Sequence, residues 1–330
     1  MKVVFFHRKP KNNNFSVETT FQITRDAMPA EVNCVVAQSR FESKGFFRRL
    51  YNIFEAAFRQ GDVNHITGDV HFLSYLLRRN RTLLTVLDCV FLYNSKGLKR
   101  FILRLLWGVI PEKRVALISV ISQATKNELQ ECINCNPDKI RVVPVCISPS
   151  FTRSDKIFNA DKPRILHVGT NENKNLIRLV RALEAVNCQL EVIGRLSARQ
   201  LEELKKNRID FVNSYDLTNG EMIQKYIECD LLAFVSTYEG FGMPILEANA
   251  VGRPVITSDV YSMPEVAGDS ACLVDPYDIS DIRAGILRIL SDAIYRKTLI
   301  RNGYRNALRF DPKEVARQYY ELYKELSRDS

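Results

Sequence analysis

The sequence predicts an α/β protein made of two doubly wound domains in tandem. Short runs rich in Val and Ile alternate with segments of helical period along nearly the whole chain. The alternation is interrupted once, by a polar, proline-containing stretch over 148–163 that reads as a domain linker, and then restarts. The chain has 330 residues, long for one domain and comfortable for two at roughly 100–200 residues each. Strands that alternate with helices build a parallel sheet covered on both faces. Ligands of such sheets sit outside the carboxyl ends of the strands.

In the first domain, taken as residues 1–155, strands are expected at 3–6, 32–37, 63–67, 83–87, 115–120 and 141–145. Helices are expected near 17–28, 46–60, 70–79, 96–107 and 122–134. Ser122 and Asp69 stand where side-chain oxygens would cap two of these helices. In the second domain, residues 156–310, the strands fall at 164–168, 190–193, 209–212, 231–235, 254–257 and 271–274. Its helices cover 175–186, 197–206, 220–228, 244–251, 279–291 and 294–308. Asp311 and Pro312 then break the chain before a last helix over 313–326, with Asp as cap and Pro in the first turn. This 311–330 segment is expected to return to the first domain.

Hydrophobic residues make up 46% and charged residues 26% of the chain, a soluble globular balance. The apolar run after Met1 is too short for a secretory signal and is cut by Arg8. No stretch approaches the ~20 apolar residues of a membrane span, so a cytoplasmic location is expected. The net charge of +9 is unevenly placed: residues 1–158 hold 24 Lys and Arg against 13 Asp and Glu. That excess points to an anionic partner for the first domain. Two stretches there, 44–58 and 96–114, are basic, aromatic and amphipathic, as is a helix lying on an anionic bilayer. Eight scattered cysteines read as free buried thiols. Cys132 and Cys135 form a C-x-x-C with no second pair to complete a zinc site, so no metal is expected.

The chemistry is concentrated in Thr237-Tyr238-Glu239-Gly240-Phe241-Gly242-Met243-Pro244-Ile245-Leu246-Glu247. It follows an apolar strand and enters a helix with Pro244 in the first turn. Gly240 and Gly242 let a ligand approach the backbone, and the helix N-terminus suits a diphosphate. Carboxylates beside a phosphate site make sense when they accept hydrogen bonds from hydroxyls, which points to a sugar on each side of the diphosphate. The third glycine of a G-x-G-x-x-G fingerprint is replaced by Ile245, and no G-x-x-x-x-G-K-[ST] loop occurs.

This segment resembles the E-G-F-G-x-P-x-x-x-E signature of the "group one" retaining GT-B glycosyltransferases. Ser262-Met263-Pro264-Glu265-Val266-Ala267-Gly268-Asp269, followed by Leu273-Val274-Asp275-Pro276-Tyr277-Asp278, is similar to the family's next conserved stretch. His167-Val168-Gly169-Thr170-Asn171-Glu172-Asn173-Lys174-Asn175 resembles its first loop of the C-terminal domain. The resemblance implies two Rossmann-like domains facing each other across a cleft. It implies that Glu247 holds the ribose hydroxyls and Glu239 those of the transferred sugar. The backbone at Gly240, Phe241, Gly242, Met243 and beside Pro244 would cradle the diphosphate. Gly169, Thr170 and Asn173 would line the donor loop, and Lys174 would neutralise the leaving diphosphate. It further implies a retaining, front-face transfer with no metal and no cofactor, from a UDP-hexose as the default donor. The acceptor would be a saccharide or lipid-linked saccharide in glycan or polysaccharide synthesis.

The pattern is broken in places. Thr170 and Asn173 stand where many members carry an arginine, so Arg195 is the candidate second cation. His7 to Asn14 replaces the family's glycine-rich acceptor loop. In the first domain His71 is a candidate for the sugar site. Asp88 ends a strand where members often have a His-Asp pair, but Leu87 precedes it. A nucleic-acid module is not required by the charge. The alternative is a non-catalytic scaffold of this fold that binds a nucleotide-sugar or an anionic membrane, against which Glu239, Glu247 and Lys174 argue.

Overall fold

The computed structural model describes residues 1–9, 16–89 and 96–328. Residues 10–14 of the stretch that replaces the glycine-rich loop lie outside the described residues. The chain folds as two units: Met1–Cys146 together with Asp311–Ser330, and Ile147–Phe310.

The first unit contains β1 (Lys2–His7), α1 (Ser16–Asp26), β2 (Asn33–Gln38), α2 (Phe46–Phe58), β3 (Val63–Ile66), β4 (Thr82–Val86), α3 (Gly97–Leu103), α4 (Ile110–Arg114), β5 (Leu117–Val120), α5 (Gln123–Ile133) and β6 (Ile140–Val142). Its six strands are parallel in the order β2-β1-β3-β4-β5-β6. Side chains alternate between the two faces of a strand, and β1 shows both layers. Val4 and Phe6 join the core under α2 and α5, while Val3 and Phe5 join a second core with Tyr319, Leu322 and Tyr323. Those last three lie on the C-terminal helix Pro312–Arg328, which covers that face of the first sheet. Asp311 starts this helix by accepting from the Lys313 amide at 2.8 Å. Ser122 caps α5 through the Thr125 amide at 3.0 Å.

The second unit contains β7 (Arg164–Val168), α6 (Leu176–Ala182), β8 (Gln189–Ile193), α7 (Ala198–Lys206), β9 (Asp210–Ser214), α8 (Asn219–Glu228), β10 (Leu231–Phe234), α9 (Met243–Val251), β11 (Val255–Ser258), α10 (Met263–Ala267), β12 (Ala271–Val274), α11 (Ile279–Ser291) and α12 (Ala293–Leu308). Its parallel order is β12-β11-β10-β7-β8-β9. Capping boxes at Ser197/Gln200 and Thr218/Glu221 start α7 and α8.

Four expectations change. The helix expected over 70–79 is two 3-10 turns, His71–Tyr75 and Arg79–Arg81. Val70, His71, Phe72, Leu73 and Ser74 are five consecutive buried residues, so the start of this segment lacks the solvated face that opposes the apolar stripe of a surface helix. Asp69 caps nothing. Its carboxylate pairs with Arg8 at 3.7 Å and its carbonyl accepts from Trp107 Nε1 at 3.3 Å. The helix expected over 96–107 ends at Leu103 and continues as a π-turn over Arg104–Val109. Tyr75 donates its hydroxyl to the Leu106 carbonyl at 2.6 Å and His71 Nδ1 bonds the Trp107 carbonyl at 2.8 Å, drawing those groups to neighbours. The stretch over 148–163 belongs to the second unit and is not a free linker. The Ser154 amide bonds the Val251 carbonyl at 3.2 Å, Arg253 donates to the Ser154 carbonyl at 2.8 Å, and Lys156 pairs with Asp230 at 2.9 Å. The unit boundary accordingly falls at Cys146, earlier than residue 155.

All eight cysteines are free thiols; Cys34 and Cys132 are half-buried and the rest buried. The four histidines of the chain are also buried. Arg25 donates to His7 Nε2 at 2.8 Å, so Nδ1 carries the proton toward Thr67 Oγ1 at 3.0 Å. Burial, and then the Arg25 charge, lower the His7 pKa to about 4. His65 joins Tyr323 at 2.7 Å and Thr85 at 2.6 Å, and burial holds its pKa well below 6.5. Burial likewise lowers His71, and lowers His167 to about 4. These rings are neutral in the fold and gain a proton only on unfolding. Stability is therefore fully present above about pH 6.5 and lost as pH falls toward 4, by up to about 1.4 kcal/mol per pH unit per ring. Urea midpoints measured from pH 7 to 5 should fall steadily; a flat profile would show that the rings are charged in the fold.

Candidate functional site

In the second sheet the strand order reverses between β7 and β10. Chain connections leave this pair in opposite directions, which opens a crevice at their carboxyl ends. The loop after β7 carries Gly169 to Asn175, and the loop after β10 carries Val235 to Gly242.

Gly169 has φ +94°, and a Cβ there would lie 2.9 Å from Lys174 Cγ and Cε. The lysine stem thus runs directly over a position that only glycine tolerates. Lys174 Nζ lies 2.6 Å from Glu239 Oε1 and 4.9 Å from the centroid of the Phe234 ring. The candidate cation and one candidate carboxylate meet in the site. The loops themselves are joined by amide side chains. Asn173 Nδ2 donates to the Tyr238 carbonyl at 2.9 Å, and the Thr237 amide donates to the Asn173 carbonyl at 2.7 Å. Asn175 adopts a left-handed φ of 63° and donates to the Val235 carbonyl at 2.9 Å and the Pro276 carbonyl at 2.7 Å. Ser262 donates to the carbonyls of Glu239 and Phe241 at 2.9 and 2.7 Å.

Gly242, with φ +116°, starts α9. Pro244 has no N–H, and the Ile245 amide bonds the Gly242 carbonyl at 3.0 Å. The Gly242 and Met243 amides carry no bond among the described residues, so they are the donors this helix end offers an anion. The Phe241 side chain is buried edge-on against Phe310 with centroids 5.7 Å apart, which leaves only its backbone for a ligand.

Glu247 projects from α9 about one turn in. Tyr226 on α8 donates its hydroxyl to Glu247 Oε2 at 2.5 Å. Burial pushes the Glu247 pKa up to about 7; the Tyr226 hydrogen bond and the Lys174 charge oppose that rise. Arg195 behaves differently. Its guanidinium pairs with Asp216 and stacks 4.4 Å from the Tyr215 ring centroid, while Thr170 Oγ1 donates to its carbonyl at 2.8 Å. The arginine thus borders the donor loop with its charge directed to Asp216.

In the first unit, His71 lies close enough to Asp69 and Asp88 for both charges to raise its pKa against burial. The Trp107 carbonyl fixes the proton on its Nδ1. The structure thus groups Glu239, Lys174, Gly169, Asn173 and the Gly240–Pro244 loop in the second unit, with Glu247 beside them, and His71 with Asp88 in the first. Sequence reasoning missed Tyr226, Ser262 and the bridging role of Asn175. Asn175 follows Lys174 directly and had a local signal. Tyr226 lies on another helix and had none.

Solved structures share this architecture. Sucrose-phosphate synthase from Thermosynechococcus elongatus superposes with a TM-score of 0.77 at 17% identity, covering 100% of both chains. HepE of Anabaena, determined in complex with UDP and glucose, gives 0.78 at 14% identity over 98% of this chain and 99% of that one. Two parallel six-stranded sheets with flanking helices define the GT-B fold of glycosyltransferases. Residues 150–306 match the family described as Glycosyl transferases group 1. It is also 29% identical over 234 residues to the O-antigen chain mannosyltransferase B of Escherichia coli, a match covering 63% of this chain and 60% of that relative.

A carboxylate held near pKa 7 is a cost to the fold once ionised. Its folded value lies above the unfolded 4.5, so the penalty is absent below pH 4.5 and complete above 7. Glu247→Gln should therefore stabilise the protein by about 1 kcal/mol at pH 8, discounted for partial exposure, and by almost nothing at pH 5. Thermal unfolding of both forms at the two pH values checks this.

Proposed function

We propose that this protein transfers a hexose from a nucleotide-sugar, by default a UDP-sugar, to a saccharide or lipid-linked saccharide with retention of configuration and without a metal. The observation that carries the reading is the meeting of Lys174, Glu239, the α9 N-terminus and Glu247 at the β7/β10 switch point. Lys174 and the Gly242 and Met243 amides supply positive charge where a diphosphate departs. Glu247 offers an acceptor to ribose hydroxyls. Glu239 is free to turn to sugar hydroxyls once a diphosphate competes for Lys174. In a front-face transfer the leaving phosphate accepts the acceptor's proton. That HepE was determined with UDP and glucose, and that relatives are named mannosyltransferases, favours a hexose donor.

Thermal unfolding with UDP, GDP, ADP, CMP and their sugars in EDTA tests the donor. A ligand at about 100 times its dissociation constant adds about 2.7 kcal/mol. Glu247→Ala should weaken nucleotide affinity, and Glu239→Ala should mainly slow transfer. Absence of any shift, or full transferase activity in both variants, would sink the reading.

The acceptor side of the proposal includes contact with an anionic membrane at the cytoplasmic face. No described helix is long and apolar enough to cross a bilayer. The first unit holds 26 Lys and Arg against 17 Asp and Glu, and the second 21 against 21, so the whole net charge resides on the first. There Phe46, Phe47 and Phe58 on α2 are 72, 80 and 88% exposed, and Leu98 and Phe101 on α3 are 74 and 60% exposed. Arg49 stacks 4.5 Å over the Trp107 ring, joining α2 to the turn after α3. Exposed rings among Arg48, Lys99 and Arg100 complement a lipid surface of negative charge. The protein should sediment with vesicles of phosphatidylcholine and phosphatidylglycerol and not with phosphatidylcholine alone. Phe46→Ser with Phe47→Ser and Phe101→Ser should weaken that binding by roughly tenfold. Equal binding to both vesicles would exclude an electrostatic contact.

A further inference from the structure

We propose that Tyr226 is a positioning residue for nucleotide recognition: its hydroxyl holds Glu247 in one orientation and keeps it ionised for the ribose hydroxyls. The inference rests on the assignment of Glu247 to the ribose and extends it to a residue on another helix.

The geometry is specific. Tyr226 is fully buried, and its ring packs edge-on against Phe151 with centroids 5.4 Å apart, so the phenol cannot swing away. Its hydroxyl donates to Glu247 Oε2 at 2.5 Å. A carboxylate accepts and a phenol donates, so the proton lies on Tyr226, whose own pKa burial and the Glu247 charge raise well above 10. One carboxylate oxygen is thereby occupied. Oε1 holds no hydrogen bond among the described residues and is left for a ligand. Without the phenol the side chain of Glu247 would be free to rotate, and it would lose the one hydrogen bond among the described residues that favours its charged form.

The groups that act on the Glu247 carboxylate are few. Tyr226 acts from α8, and Lys174 acts from the loop after β7, where it is itself paired with Glu239. No group of β10, β11, α10 or α12 contributes among the described residues. Burial opposes ionisation and Tyr226 favours it, with the balance at about pH 7. A hydrogen bond to the charged form is the device that keeps a buried carboxylate an acceptor. Ribose hydroxyls bind best to the charged acceptor, so affinity should depend on pH through this one group.

Tyr226→Phe keeps the buried ring and removes only the hydroxyl. UDP, GDP, ADP and CMP are each titrated calorimetrically into wild type, Tyr226→Phe, Glu247→Gln and Glu247→Ala from pH 6 to 9. For the nucleotide that binds, wild-type affinity should fall about tenfold per unit below pH 7. In Tyr226→Phe the midpoint should move upward by roughly one unit, giving several-fold weaker binding at pH 7 that recovers at pH 9. Glu247→Gln should bind weakly and without this pH dependence. A Tyr226→Phe profile superimposable on wild type, with Glu247→Ala impaired, would reduce Tyr226 to a packing residue. Undiminished binding by Glu247→Ala, or no binding of any nucleotide to wild type, would overturn the ribose assignment itself.

Discussion

Parallel strands end together at one edge of a sheet, and the carbonyls of the loops beyond that edge have no ladder partner. Each such group must find a donor or stay unpaired at a cost of about 1–3 kcal/mol. In the second unit this constraint shapes the site. Asn175 takes the Val235 and Pro276 carbonyls, Asn173 takes that of Tyr238, Ser258 that of Ser236, and Ser262 those of Glu239 and Phe241. The loop that carries Glu239 and Gly242 is therefore tied at both flanks by short side chains. Lys174 sits between two of these ties, with Gly169 beneath its stem. Its placement follows from satisfied backbone, before any ligand arrives.

The electrostatics of the site are held in opposition. Lys174 is neutralised by Glu239, and the Gly242 and Met243 amides at the α9 N-terminus make no hydrogen bond among the described residues. The Tyr226 phenol and the Lys174 ammonium oppose the effect of burial on Glu247. In the proposed function a diphosphate would relieve each tension, the anion taking Lys174 and the helix end while sugar hydroxyls take the carboxylates.

The first unit uses its polar groups to join elements. His65 links the C-terminal helix to β3 and β4 through Tyr323 and Thr85, and Thr85 passes the chain to Ser119 on β5 at 2.6 Å. A helix from the end of the sequence thus completes the core that β1 begins. Aromatic rings on α2 and α3 of this unit are left uncovered by the core.

The sequence by itself determined the strand and helix alternation, since parallel strands buried on both faces need continuous apolar runs and helices need a 3.6-residue stripe. It also placed Glu239, Gly240, Gly242, Pro244 and Glu247 on one strand–loop–helix segment, because they are close together in the chain. It did not determine the segments whose conformation is set by distant partners. Residues 70–79 have helical composition but form two 3-10 turns whose first residues, Val70 to Ser74, are buried, and the turn over Arg104–Val109 widens where His71 and Tyr75 take its carbonyls. Only the tertiary structure decided that the stretch after Cys146 belongs to the second unit, that Arg195 turns to Asp216, and that Tyr226 meets Glu247. Each of these is a contact between residues far apart or out of register in sequence, and no local propensity encodes it.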